Sequence, residues 1–303
     1  MPHVTKRRKT GHLITEKINP KTGYIDECST LEIIELISEE DKRVADAVAE
    51  QKENIARAVD LIVERLSAGG RLFFIGAGTS GRLGIMEAAE CPPTFGTKPS
   101  LIRGIIAGGK KALWRSIEGT EDSRTESQRT LSKLGLNKKD IVIGIAASAT
   151  TPFVEGALSY AKKRRSARVL ITCNPVNSSL SNVTISLLVG PEAIVGSTRM
   201  KAGTATKMVL NMLTTASMVR LGKTYGNLMV EVRPNSEKLR DRAKRIVMHI
   251  LGVNRQNAER LLKKSNWDIK VAVIMEKKKI GYIEAKEHLE NHSGFLGAAL
   301  ESE

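Results

Sequence analysis

Gly76, Gly78 and Gly81 form a G-x-G-x-x-G string after the apolar run Arg71–Ile75 and before a helical stretch. That placement formally fits a dinucleotide fingerprint. A dinucleotide site also needs a carboxylate about 20 residues on, at the end of the second strand, to hold the ribose. The chain there reads Ile105-Ile106-Ala107-Gly108-Gly109, without an acid. The turn instead offers two hydroxyls, Thr79 and Ser80, beside backbone N–H groups at a helix start. Short donors and the positive end of a helix dipole suit a phosphate monoester. A tight turn with no ligand is the plain alternative. A second hydroxyl turn, Ser148, Thr150 and Thr151, follows another apolar run and opens another helix. Both turns would lie at carboxyl ends of strands, where ligands bind in open α/β sheets.

Acid–base chemistry there would rest on carboxylates. Glu87 and Glu90 follow the first turn, Glu90 against Cys91-Pro92-Pro93, and Glu118, Glu121 and Asp122 lie between Ser116 and Ser123. A single glutamate on a helix is ordinarily a solvated surface residue. Glu90 differs in standing beside two prolines next to the first turn. The five histidines (His3, His12, His249, His288, His292) all fall outside the α/β stretch. A Ser–His nucleophile or a histidine metal site is therefore disfavoured in it.

These groups need a scaffold. Between Thr30 and about Leu66 apolar residues recur at helical spacing, which predicts two helices, the first capped by Ser29 or Thr30. Five short apolar runs follow, Arg71–Ile75, Leu101–Ile106, Asp140–Ile145, Arg168–Thr172 and Val183–Val189, alternating with helical segments. Near-continuous apolar strands between helices predict a parallel sheet covered on both faces. The helix after the first turn is expected to stop at Cys91-Pro92-Pro93. A long amphipathic helix should run from Lys201 to about Leu221, and the pattern is helical from about Lys238 onward. The expected organisation is an N-terminal segment with helices over 1–50, an α/β domain over 51–225, and a small helical bundle over 240–303.

The 303 residues carry a formal charge of +15, with 41% hydrophobic and 27% charged residues. That composition supplies a core and excludes disorder over most of the chain. The positive charge is spread along the chain, with short runs at Lys6–Lys9, Lys162–Arg165 and Lys277–Lys279. A nucleic-acid footprint concentrates its charge, and aromatic residues are only 4%, so nucleic-acid binding is not expected. Cys28, Cys91 and Cys173 are far apart, which argues for a reducing compartment. No apolar run approaches the ~18 residues of a membrane span and no apolar signal core opens the chain, so a soluble cytoplasmic protein is expected.

Several strings carry a specific resemblance. Gly76-Ala-Gly-Thr-Ser-Gly-Arg-Leu-Gly84, Glu90-Cys-Pro-Pro-Thr-Phe-Gly96, Glu118-Gly-Thr-Glu-Asp-Ser123 and Leu221-Gly-Lys-Thr-Tyr-Gly-Asn-Leu-Met-Val230 resemble the N-acetylmuramic acid 6-phosphate etherase family. Gly190-Pro-Glu-Ala-Ile-Val-Gly-Ser-Thr-Arg-Met-Lys-Ala-Gly-Thr-Ala-Thr-Lys207 is similar to a string that this family shares with the glucokinase regulatory protein. The resemblance implies a sugar isomerase (SIS) fold, a parallel five-stranded sheet sandwiched by helices, with a small all-helical C-terminal bundle. It implies a cytoplasmic homodimer of cell-wall sugar recycling that needs no metal or cofactor. The implied reaction cleaves a D-lactyl ether with water, giving N-acetylglucosamine 6-phosphate and D-lactate. Carried over by motif, Glu90 would protonate the departing lactate and Glu121 would be the base at C2. Thr79, Ser80, Ser148, Thr150 and Thr151 would hold the 6-phosphate, with Ser197, Thr198, Arg199 and Lys201 lining the same pocket. One departure stands out: the family's second turn reads Ser-Gly-x-Thr, and here alanine occupies position 149. Either Ala149 keeps an ordinary backbone, or the turn carries strain of ~1 kcal/mol or more and phosphate affinity drops. A non-catalytic phosphosugar sensor and a sugar phosphate isomerase are the alternatives on the same fold.

Overall fold

The computed structural model describes residues 13–232 and 234–302; the basic run Lys6–Lys9, with His3 and His12, lies outside them. The chain divides into two compact units. Of the described residues, one holds 13–87 together with Arg103–Leu213, and the other holds Ala88–Ile102 and those from Thr214 onward.

In the first unit, the stretch from Thr30 to Ser67 forms three α-helices where two were expected: α1 (Thr30–Asp41), α2 (Arg43–Ala49) and α3 (Lys52–Ser67). Val44 and Val48 continue the apolar spacing across the break at Lys42, which hides it from periodicity. Ser29 caps α1 by accepting the Glu32 N–H, and the Glu32 carboxylate returns to the Ser29 N–H, a capping box. The only residue that α1 buries is Glu40.

The strands are β1 (Leu72–Gly76), β2 (Ile102–Ile106), β3 (Ile141–Ile145), β4 (Ala167–Thr172) and β5 (Val183–Ser186), in the order β2-β1-β3-β4-β5. The sheet is parallel, with Gly76 beside Ile145 and Ile145 beside Ile171. Every residue of β1 and β3 is buried, as continuous apolar strands require. Phe73, Ile75, Val142 and Leu170 share one core with Phe153, Val154 and Leu158 of α6 (Pro152–Lys163) and Leu131 of α5 (Arg124–Lys133). On the opposite face Phe74 meets α4 (Gly78–Phe95), where a Cβ on Gly84 would lie 2.8 Å from the Phe74 Cβ. The register of β1 on β3 is pinned at their amino ends. Asp140, fully buried, accepts the Arg71 backbone N–H at 2.9 Å and its guanidinium at 2.8 Å. That leaves the carboxyl ends to carry chemistry.

The second unit contains α8 (Glu237–Leu251), α9 (Arg255–Lys264), α10 (Ile269–Lys278), α11 (Tyr282–Asn291) and α12 (Leu296–Glu301), after α7 (Lys201–Arg220) has run into it. Ser236, Asn254 and Asp268 cap α8, α9 and α10 with their side chains. Val247, Leu262, Val273 and Ile274 form its core. Lys162–Lys163 and Lys277–Lys278 lie in the last turns of α6 and α10, where cations complement the helix dipole. Among the described residues no helix is long and apolar enough to cross a membrane.

Candidate active site

Parallel pairing of Gly76 with Ile145 releases the two hydroxyl turns from adjacent strands at the same sheet edge, about 5 Å apart. Between β1 and β3 the strand order reverses direction, the position where doubly wound sheets bind ligands.

The first turn is built on close approach. A Cβ on Gly76 would stand 2.7 Å from the Gly81 nitrogen, and one on Gly81 2.6 Å from Ile106 Cγ1 of β2. Only glycine at both places lets α4 start directly against the ends of two strands. Thr79 and Ser80 occupy its first turn, half-buried. Their backbone N–H groups, in the first turn of the helix, have no helical acceptor behind them, the arrangement that suits an anion.

The second turn is strained. Ala149 has φ +63°, in the left-handed region, so it does not keep the ordinary backbone that was one of the two expectations. Its N–H donates to Ala146 O at 2.8 Å, which holds the conformation. Ser148 Oγ accepts the Thr150 N–H at 3.3 Å and the Thr150 hydroxyl at 3.2 Å, leaving its own O–H to donate outward. Thr151 is the N-cap of α6 but makes no side-chain capping bond. Ala149→Gly is expected to relieve the strain and stabilise the protein by about 0.5–1 kcal/mol, read from urea unfolding. A variant no more stable than the parent would show that the turn is not strained.

Glu121 sits on a single 3-10 turn, Thr120–Asp122, packed against α6. Gly119 enters it at φ +76°, and the Thr120 hydroxyl donates to Ile117 O at 2.8 Å. A Cβ on Gly108 would lie 3.2 Å from the Thr120 hydroxyl oxygen, so this turn is seated on the segment leaving β2. Arg82 of α4 donates to Leu113 O at 3.1 Å and Arg115 O at 3.3 Å, tying that segment to the first turn's helix. Glu121 is half-buried; Glu90 is exposed. Among the described residues neither forms an ion pair, whereas Glu87 is buried and bonded to Lys207. Glu118 accepts the Ser116 hydroxyl at 2.5 Å.

Helix α4 does not stop before the prolines but runs through Pro92 and Pro93 to Phe95. Proline has no N–H, so two helical bonds are missing just beyond Glu90. Ser197, Thr198 and Arg199 form the turn before α7. Thr198 O and Thr79 Cγ2 each lie 3.6 Å from the position a Cβ on Gly203 would take, which brings this turn to the first hydroxyl turn. Lys201 departs from expectation. Its ammonium is buried at 1% exposure and bonded to Glu40 rather than turned to a ligand.

A model of the glucokinase regulatory protein N-terminal SIS domain matches residues 54–162. An N-acetylmuramic acid 6-phosphate etherase of Clostridium botulinum (strain Langeland) is 49% identical over 95% of this chain and 96% of its own length. One of Clostridioides difficile is 50% identical over 96% of each chain. The chain belongs to the N-acetylmuramic acid 6-phosphate etherase family. It is thus an enzyme of the lyase type that acts on a carbon–oxygen ether bond. Among solved structures, a phosphoheptose isomerase of Neisseria gonorrhoeae aligns with TM-score 0.45 at 15% identity, over 62% of this chain and 98% of that one.

In this etherase three polar residues absent from the expected set shape the site. Asn174, 1% exposed, donates to Ala147 O of the second turn at 2.8 Å and to the Thr15 hydroxyl at 3.1 Å, and accepts the Ile14 N–H at 2.6 Å. Glu192, fully buried, accepts the Lys201 N–H at 2.9 Å and the Ala202 N–H at 3.0 Å, capping α7 with a carboxylate. Burial pushes its pKa up, against the pull of those two bonds. Glu40, also accepting Asn19 Nδ2 at 2.8 Å, anchors Lys201. The available signal was a polar residue at the end of an apolar run, as at Asn174.

Proposed function

We propose that the protein cleaves the D-lactyl ether of N-acetylmuramic acid 6-phosphate with water, giving N-acetylglucosamine 6-phosphate and D-lactate. The observation that carries this reading is the pair of hydroxyl turns on adjacent parallel strands, in a chain whose relatives bear that enzyme's name. Ser80 with Thr79, and Ser148 with Thr150 and Thr151, hold the 6-phosphate through hydroxyls and the first N–H groups of α4 and α6. Ser197, Thr198 and Arg199 complete the pocket, Arg199 meeting phosphate or the lactyl carboxylate. Lys201 serves by fixing that turn through Glu40.

The ether oxygen on C3 is a poor leaving group, but it lies β to C1. In the open-chain aldehyde the C2 proton is acidic. Glu121 removes it, the C3–O bond breaks, and Glu90 protonates the departing lactate oxygen. Water then adds at C3 of the unsaturated aldehyde. One carboxyl must be protonated while the other is ionised when the sugar binds.

The enzyme acts in the cytoplasm on recycled cell-wall sugar, as a homodimer. The exposed apolar side chains of α1 and the segment before it, Leu31 at 67%, Ile34 at 58% and Tyr24 at 53%, support a face for a second copy. Incubating the protein with the phosphosugar should release D-lactate and N-acetylglucosamine 6-phosphate in equal amounts. Tight binding without lactate would make it a sensor; a ketose product would make it an isomerase.

A further inference from the structure

The segment that bears Glu90 belongs to the same compact unit as the C-terminal helices, not to the unit that holds the sheet. Within that unit lies a buried lysine that the proposed chemistry does not use. Lys270, on α10, is 2% exposed. Its ammonium donates to Glu231 Oε1 at 2.5 Å, Gly294 O at 2.7 Å and Gly222 O at 2.8 Å, so all three of its N–H donors have acceptors. A lysine satisfied in this way stays buried and fixes the geometry of what it binds.

What it fixes leads back to α4. The backbone carbonyl of Glu231 lies against Gly96, where an added Cβ would stand only 2.4 Å from that oxygen. Gly96 has φ +64°, and its N–H closes the end of α4 on Pro92 O at 3.0 Å. Pro92 and Pro93 donate no helical bonds to the carbonyls of Ala88 and Ala89, the two residues just before Glu90. The final turns of α4 therefore lack two of their own backbone bonds, and the Glu231 carbonyl is packed against their end at Gly96. We propose that Lys270 is a positioning residue: through Glu231 and Gly96 it fixes the end of α4 that carries Glu90, which gives the C-terminal helices a part in catalysis. This rests on the reading of Glu90 as the acid for the departing lactate.

The test compares three variants: Lys270→Met, Glu90→Gln and the double variant. Misplacing an acid by about 1 Å costs on the order of 10²-fold in rate. Lys270→Met should therefore lower kcat for lactate release by about that factor and leave KM unchanged. Exchange of the substrate's C2 proton with solvent should persist, because the base is untouched. In the Glu90→Gln background Lys270→Met should cost nothing further. A multiplicative double variant, or loss of C2 exchange in Lys270→Met while Glu90→Gln retains it, would overturn the positioning role. Wild-type lactate release by Glu90→Gln would instead overturn the acid assignment itself, a distinguishable failure. Should Lys270→Met fail to fold, Glu231→Gln, which keeps a neutral acceptor, should show the same pattern at smaller amplitude; Glu231→Gln with full kcat would count against the proposal.

Discussion

Glu121→Gln is expected to abolish lactate release, with kcat reduced by about 10³-fold or more, within the range a positioned general base supplies. Glutamine keeps the shape of the side chain and loses the ability to take a proton. The 3-10 turn that carries it is held by the Thr120 hydroxyl, not by the carboxylate, so the variant should fold like the parent. Phosphosugar binding should survive, because the phosphate is assigned to the two hydroxyl turns. The deciding measurement is exchange of the C2 proton in deuterated water, followed by NMR. It should vanish in Glu121→Gln and persist in Glu90→Gln, since only the first removes the proposed base. Retained exchange in Glu121→Gln would refute its role, and loss in both would mean that the two steps are concerted.

The largest stability effect should come from the ion pair between Lys201 and Glu40, whose side chains are 1% and 4% exposed. Lys201→Met leaves a buried carboxylate with Asn19 as its remaining close donor, a change that costs about 3–5 kcal/mol when one partner of a buried pair is removed. Lys21 stands 4.0 Å away but is half-exposed, and solvent screens it. Adding Glu40→Met should restore much of the loss, because apolar replacement of a whole buried pair is often neutral. The pH dependence carries a sign. Burial acts to raise the Glu40 pKa, but the bonds from Lys201 and Asn19 outweigh it and hold the carboxyl below its ordinary value of 4.5. A depressed carboxyl pKa contributes stability that is present above that ordinary value and is lost as pH falls through the folded-state pKa. The gap between parent and Lys201→Met, read from urea midpoints, should therefore be full at pH 7 and shrink below pH 4.5. Equal midpoints at pH 7 would show that the pair does not stabilise the fold.

Much of this arrangement was readable from residues alone, for physical reasons. Parallel strands buried on both faces must be apolar throughout, so β1 and β3 stood out as apolar runs leading into a glycine-rich and a hydroxyl-rich turn. The same turns marked the carboxyl edge of the sheet as the candidate site. The third N-terminal helix was hidden because Val44 and Val48 keep the apolar spacing unbroken past Lys42. The length of α4 was hidden because proline ordinarily ends a helix, and the Glu231 carbonyl packed against its end belongs to a residue 135 positions beyond Gly96. Lys201 looked like an anion ligand because a basic residue beside Ser197 and Thr198 is ambiguous until its partner, Glu40, is located. Asn174 and Glu192 follow the same rule: a buried polar residue is defined by a partner far off in sequence.

Asn174 has a consequence for how the enzyme is made. Its bond to Ile14 joins residues 160 apart, and those from Thr22 to Ala193 and from Asn19 to Pro191 span 171 and 172. At a synthesis rate of ~5–20 residues per second, the first-made of these residues waits roughly ten to thirty seconds for its partners. Contacts of such separation are slow to form and reward the chain only after a large loop has closed. The second hydroxyl turn therefore reaches its final shape only after the two ends of a 160-residue loop have met. A nascent chain can hold a folded sheet edge and still lack a finished site.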